Sequence, residues 1–297
     1  MNTRNLRFRS NRVRDILALM HEDLDDMYGS GEVSAFGEML FEAFLGWDRV
    51  RLLTSREQTI DQSDLLRFHW ALEDLKRYRP IQHIIGFVGF CGCRIEVSPD
   101  VLIPRPETEE MVEWIVESGK WKVERILDLC TGSGCIAIAL KKAFPQAEVS
   151  AVDVSSKALE MAWQNAENNG AEVHFVEGDV LDGVNGFNGS YGLIVSNPPY
   201  VMENERAQMQ PNVLDYDPAL ALFVPDDDPL RFYKAIATIA KNHLAENGQV
   251  VAEINEDLAE ETCAVFEAQG FAPKVYDDFR GKPRWISADG AGARRGE

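Results

Sequence analysis

The spacing of apolar positions changes twice along the chain. From Arg14 to Arg79 apolar residues recur every three or four positions, which predicts helices over Arg14–Met27, Ala35–Gly46 and Ser63–Arg79. Gly29-Ser30-Gly31 and Gly46-Trp47-Asp48 punctuate them. No strand-like alternation interrupts this stretch, so residues 1–86 read as a small all-helical domain. Over Phe87 to Ile103 the strand formers Val88, Phe90, Ile95, Val97, Val101 and Ile103 take over, broken by Gly92 and Pro99-Asp100. This predicts a β-hairpin, placed as a linker over 87–105. Pro106 suits the first position of a helix, and Glu107, Glu109 and Glu110 complement the dipole of its first turn.

From Arg125 onward strand-like and helix-like runs alternate. The strands are predicted over Arg125–Cys130, Glu148–Val154, Val173–Glu177, Leu193–Ser196, Gln249–Ile254, Lys274–Asp278 and Arg284–Ser287. Between two of them, Leu159, Ala162, Trp163 and Ala166 share one face of a helix over Ser156–Asn169. Such alternation predicts an α/β domain over 106–297: a mostly parallel sheet with helices on both faces. The tail Ala288–Glu297 is Gly, Ala and charge, and is expected to fray.

Composition narrows the function. Against 30 Lys+Arg stand 49 Asp+Glu in 297 residues, a net charge of −19. A protein that grips nucleic acid through phosphates, or an anionic membrane surface, needs the opposite sign. No stretch approaches the roughly 18 apolar residues of a spanning helix. Arg4, Arg7, Arg9, Arg12 and Arg14 are followed only by the short apolar run Ile16 to Met20 and then His21-Glu22-Asp23, so a helix start on a cytoplasmic protein is expected rather than a signal peptide. Five cysteines are an odd number, and Cys91-Gly92-Cys93 lacks zinc-ligand spacing; reduced thiols and no metal are expected.

Three motifs carry candidate chemistry. Asp128-Leu129-Cys130-Thr131-Gly132-Ser133-Gly134 leaves a strand and opens a helix, and Asp153 ends the next strand. Glycines there let the backbone approach a ligand, and the acid can accept from ribose hydroxyls. Ala137, not a glycine, stands at the third glycine's place of a dinucleotide fingerprint, and S-adenosylmethionine is expected rather than NAD. Asp179 after the third strand reads equally as an acceptor for an adenine amino group, with Val180 against the ring, or as a Gly-Asp turn. Ser196-Asn197-Pro198-Pro199-Tyr200 ends the fourth strand. Its prolines stop strand pairing and fix two oxygens, the Asn197 side-chain carbonyl and the Pro198 carbonyl. Together these form a clamp for an –NH2 group, and Tyr200 can pack on its planar substituent.

These residues resemble the class I, Rossmann-like S-adenosylmethionine-dependent methyltransferases. Within them the chain is similar to the PrmC/HemK family of release factor glutamine methyltransferases. The likeness runs through Pro80–Gly86, Leu102-Ile103-Pro104-Arg105-Pro106-Glu107-Thr108-Glu109, Asp128–Gly134, Ser196–Tyr200 and Asn212–Leu222. It implies transfer of a methyl group to the glutamine amide of the Gly-Gly-Gln motif in class I peptide chain release factors. The helical domain would help dock that protein. It also implies cofactor contacts from Cys130, Thr131, Gly132, Ser133, Gly134, Asp153, Asp179, Val180 and Asn197. The substrate glutamine would lie against Asn197, Pro198, Pro199 and Tyr200, with Arg105 beside it. Of these, Asn197, Pro198 and Tyr200 would be catalytic.

Cys130 stands where the family usually has Gly, and Glu253-Ile254-Asn255 replaces Glu-Ile-Gly. The run Cys130–Cys135 is typical of a sister group acting on a large-subunit ribosomal protein, which is the alternative substrate. A DNA adenine N6-methyltransferase would use a similar clamp but needs a basic face. A non-catalytic nucleoside-binding scaffold would not need the clamp. Arg105 and Glu107 read either as cleft wall or as a local ion pair. Phe90 reads either as facing methyl transfer or as core.

Overall fold

The computed structural model describes residues 8–118, 123–183 and 189–290. Contacts divide the chain into two compact units, Met1–Gly86 with Pro211–Tyr216, and Phe87–Gln210 with Asp217–Glu297.

The first unit contains α1 (Val13–Tyr28), α2 (Ser30–Leu45), α3 (Arg49–Thr54), α4 (Gln62–Leu75) and α5 (Ile81–Ile85). Their apolar faces close on Val13, Ile16, Leu24, Phe41, Phe68, Leu72 and Leu75. Gly29, at φ +82°, breaks α1 from α2, and α2 begins at Ser30 rather than Ala35. Its first turn is polar apart from Val33, so apolar spacing does not reveal it. The Tyr216 hydroxyl donates to the Arg77 carbonyl at 2.9 Å and ties Pro211–Tyr216 into this unit. Arg4 and Arg7 of the Arg-rich start lie outside the described residues.

In the second unit β1 (Phe87–Phe90) and β2 (Cys93–Glu96) form the expected hairpin. Cys91 and Gly92 sit at φ +46° and +72°, as a two-residue primed turn requires. The hairpin ends at Glu96; Val97, Val101 and Ile103 are buried but belong to no strand. Then follow α6 (Pro106–Glu117), β3 (Arg125–Leu129), α7 (Cys135–Ala143), β4 (Glu148–Asp153), α8 (Ser156–Asn169), β5 (Val173–Glu177), β6 (Tyr191–Ser196) and β7 (Val201–Met202). The chain continues through α9 (Pro211–Leu214), which counts with the first unit, then β8 (Phe223–Val224), α10 (Arg231–His243), β9 (Leu244–Glu253), α11 (Ala259–Ala268), β10 (Ala272–Asp277) and β11 (Pro283–Asp289).

Among the described residues seven strands form one sheet in the order β10-β11-β9-β6-β3-β4-β5. β9, β6, β3, β4 and β5 run parallel, and β11 is antiparallel to both its neighbours. Alternate strand residues fill two cores. Ile126, Val149, Leu193 and Val251 face α6 and α7; Leu127, Val152, Ile194 and Val250 face α10 and α11. Burial on both faces is why these strands read as near-continuous apolar runs. The tail expected to fray from Ala288 is ordered further: Ala288 is buried in β11, and residues 291–297 lie outside the described ones.

Helix α8 buries a polar residue. Trp163, expected on its inner face, is exposed, and Asn165 is fully buried instead. The Asn165 side chain donates to the Glu96 carbonyl at 3.0 Å and accepts from the Glu96 N–H at 2.8 Å. Asn169 treats Arg94 the same way. Two asparagines one turn apart thus match residues two apart on β2, and the hairpin packs into this unit's core.

Candidate functional site

The parallel strands deliver their loops to one edge of the sheet, where ligands of such folds bind. The loop after β3 has an unusual backbone, and Asn165 of α8 donates to its Ser133 carbonyl at 2.9 Å. Cys130, Gly132 and Gly134 all lie in the left-handed region, at φ +60°, +54° and +81°. A side chain on Gly134 would meet the Ala162 Cβ at 3.0 Å, so this glycine is required for space as well as conformation. Asp128 points inward, fully buried, and accepts the Thr131 hydroxyl at 2.6 Å. Burial pushes its carboxyl up to about 7, against the pull of Thr131.

Asp153, at the end of β4, accepts the Gly132 N–H at 2.8 Å on one oxygen and the Ser155 N–H at 2.9 Å on the other. Burial raises it as well. Each oxygen keeps a second lone pair for a ligand hydroxyl. Asp179 caps the turn Val180–Asp182 by accepting the Leu181 N–H at 2.8 Å. Its side chain therefore makes the turn that the Gly-Asp pair suggests, and Asp179 also lines the cavity.

That cavity measures about 430 Å³ and is bounded by Cys130, Gly132, Asp153, Asp179, Val180, Asn197 and Pro199. Its volume falls in the range of small-ligand sites, about 300–1,000 Å³. Apolar walls with a carboxylate at each of two strand ends suit a flat base joined to a ribose. Leu102, which opens the Leu-Ile-Pro-Arg-Pro-Glu-Thr-Glu segment, also lines it, as do Phe223, Arg231 and Phe232, which no motif announces. Thr131 and Ser133 are buried and, like Gly134, do not line the cavity.

A smaller cleft of about 50 Å³ is bounded by Leu102, Arg105, Asn197, Pro198, Tyr200, Val201, Ala221 and Leu222. Asn197 borders both spaces. Its Nδ2 donates to the Thr108 hydroxyl at 3.0 Å, and Thr108 donates to Glu253 at 2.7 Å. The Tyr200 hydroxyl donates to the other Glu253 oxygen at 2.8 Å. Glu253 is buried at the end of β9, and burial pushes its carboxyl upward.

Arg105 donates to the buried Asp217 at 2.5 Å, and Glu107 faces Arg280 at 4.0 Å rather than Arg105. Arg105 therefore both walls the cleft and fastens the 102–105 segment to Asp217. Phe90 is core, among Ile95 and Met111. Thr108, Asp217 and Glu253 stand in segments that the sequence reading marked, but it gave none of them a role; the position of Glu253 at a parallel strand's end was the available signal.

Two family models match: the methyltransferase small domain over residues 108–214 and the PrmC N-terminal domain over 17–86. The chain is 41% identical over 271 residues to the release factor glutamine methyltransferase of Flavobacterium psychrophilum, covering 90% of this chain and 95% of that one. It is 40% identical over 277 residues to its counterpart in Bacteroides thetaiotaomicron, covering 92% and 99%. Among solved structures a methyltransferase from Pyrococcus furiosus matches with a TM-score of 0.50 at 20% identity, covering 67% of this chain and 89% of that one. That likeness concerns the fold alone.

Proposed function

The chain belongs to the release factor glutamine methyltransferases, and on that premise we propose that it methylates the glutamine amide nitrogen of the Gly-Gly-Gln motif in class I peptide chain release factors. S-adenosylmethionine is the methyl donor. The observation that carries this reading is Asn197, which borders both the larger cavity and the smaller cleft while its NH2 is held by Thr108. The large cavity takes the cofactor, with Asp153 on the ribose, Asp179 and Val180 at the base, and Cys130 and Gly132 beside it. The cleft takes the glutamine.

When bound, the cofactor supplies an electrophilic methyl on a sulfonium. A carboxamide nitrogen is a poor nucleophile because its lone pair is delocalised. The chain's contribution is therefore positioning, which can supply ~7–11 kcal/mol. The Asn197 Oδ1 and the Pro198 carbonyl accept the two amide N–H groups. Both bonds strengthen as the nitrogen gains positive character. Tyr200 flanks the amide plane. Among the described residues neither a His nor a Lys lines the cavity or the cleft, and the proton can leave to water after transfer.

Residues 1–86 are assigned the docking of the protein substrate, 87–105 the link and 106–297 the chemistry. The net charge of −19 supports a protein amide over a DNA base. The free cysteines suit the cytoplasm, and no described helix is long and apolar enough to cross a membrane. The test mixes labelled cofactor with purified release factors and the ribosomal protein, followed by mass-spectrometric mapping. Label on the Gly-Gly-Gln glutamine is expected. Label only on the ribosomal protein, or on adenine in added DNA, overturns the proposal.

A further inference from the structure

An asparagine side chain can meet a ligand with its oxygen or with its NH2, two arrangements of nearly identical shape. Only the oxygen can accept from a substrate –NH2. Something behind Asn197 must choose.

The choice is made by the order of donors and acceptors leading to Glu253. An ionised carboxylate only accepts. Glu253 Oε2 accepts a hydrogen bond from the Thr108 hydroxyl at 2.7 Å, and Oε1 accepts one from the Tyr200 hydroxyl at 2.8 Å. With its one O–H directed at Glu253, Thr108 offers Asn197 lone pairs alone. Asn197 must answer with Nδ2, found 3.0 Å away, and its Oδ1 is left for the cleft. With the opposite order, two lone-pair sites would face each other in a buried place.

We propose that Glu253 is a positioning residue for the methyl transfer, setting through Thr108 which atom of Asn197 meets the glutamine amide and through Tyr200 where the flanking ring sits. The inference rests on the glutamine methyltransferase reading given above.

The surroundings serve the same arrangement. Burial pushes the Glu253 carboxyl upward, while its two hydroxyl partners and the charge of Arg284 pull it back. Arg284 is itself held by Asp278 at 3.2 Å. The Tyr233 hydroxyl donates to the Glu253 carbonyl at 3.3 Å and accepts the Asn255 N–H at 3.3 Å. Asn255, where the chain departs from Glu-Ile-Gly, donates to the Tyr200 carbonyl at 3.2 Å and to Glu205 at 3.1 Å. A glycine could make neither side-chain bond.

The test compares wild type with Thr108→Val, Thr108→Ser and Glu253→Gln in release-factor methylation, with cofactor affinity measured by calorimetry. Thr108→Val keeps the shape and loses the hydroxyl. It should lower kcat about 10-fold or more with cofactor Kd within about 3-fold, while Thr108→Ser keeps kcat within about 3-fold. Glu253→Gln keeps one acceptor and gains one donor, so either Thr108 or Tyr200 must turn its hydroxyl round, and kcat should fall by either route. In an Asn197→Ala background Thr108→Val should cost nothing further, because its effect runs through Asn197. Equal kcat in the Val and Ser variants, or additive losses in the double variant, overturns this inference while wild-type labelling stands. No labelling of release factor by the wild type overturns the parent reading and this inference with it.

Discussion

The loop Cys130–Gly134 and the segment Asn197–Tyr200 leave adjacent parallel strands at the same edge of the sheet, yet they are held in different ways. The loop is shaped by backbone conformation and by side chains of β3, β4 and α8, the elements next to it along the chain: left-handed Cys130, Gly132 and Gly134, Asp128 and Asp153 bonded to Thr131 and Gly132, and Asn165 donating to the Ser133 carbonyl. The segment is shaped by side chains gathered from three other elements, Thr108 of α6, Glu253 of β9 and Asn255 beyond it. Damage to the loop should therefore appear first in stability and cofactor binding. Damage to the segment should appear first in the rate of the chemical step.

The largest expected effect breaks the segment. Asn197→Ala removes one acceptor of the amide clamp and should lower kcat by roughly 10³-fold, with a much smaller change in cofactor affinity. Steady-state kinetics and calorimetry read the two separately. Equal loss of both would mean that the segment, like the loop, is mainly a wall of the cofactor cavity.

Next comes the loop's buried carboxyl. Asp128 titrates at about 7 in the folded protein against 3.8 ordinarily, so the folded state holds this proton more tightly than the unfolded chain. Its contribution is present below pH 3.8 and is lost as pH rises through about 7. Relative to Asp128→Asn, the wild type should lose stability from pH 5 to about 7, by a few kcal/mol at most, and stay level above. Melting temperatures of the two proteins across that range check the sign. A wild type that gains stability on this variant as pH rises would mean that Asp128 is ionised in the fold.

The same contrast decides what could be read from the amino-acid order. The loop was legible because its causes are local: glycines at fixed offsets from a strand end state the backbone conformation directly. The prolines after Asn197 likewise declared the end of β6. The support of Asn197 was not legible, since Thr108 and Glu253 lie 145 positions apart and only the sheet brings them together. Asn165 shows the same limit. A polar residue reads as outward on a helix until the Glu96 backbone is seen waiting for it, and Trp163 then takes the exposed place. Val97, Val101 and Ile103 are strand formers, but a turn that returns the Val101 N–H to the Ser98 carbonyl lies among them, so they are buried without continuing the hairpin.

Within the loop, Gly134→Ala should cost about 2–3 kcal/mol, from the left-handed backbone together with the contact against Ala162. Cofactor affinity should fall with it, because Gly132 and its bond to Asp153 shift too. Chemical denaturation alongside calorimetry measures both. A variant of unchanged stability would mean that the loop, like the segment, depends on distant side chains.

The smallest effect isolates backbone conformation at Cys130. Ordinarily glycine is less stable than alanine by about 0.5–1 kcal/mol, because the unfolded chain gains freedom. At φ +60° the order should reverse: a β-carbon there costs roughly 1–2 kcal/mol, more than the entropy that glycine gives up. Both Cys130→Ala and Cys130→Gly lose the thiol and its contacts, so their difference leaves conformation alone. Cys130→Gly should be more stable than Cys130→Ala by up to about 1 kcal/mol in denaturant titrations. If alanine is the more stable, the left-handed turn is not what holds this loop, and the division between a backbone-made and a side-chain-made half of the site fails.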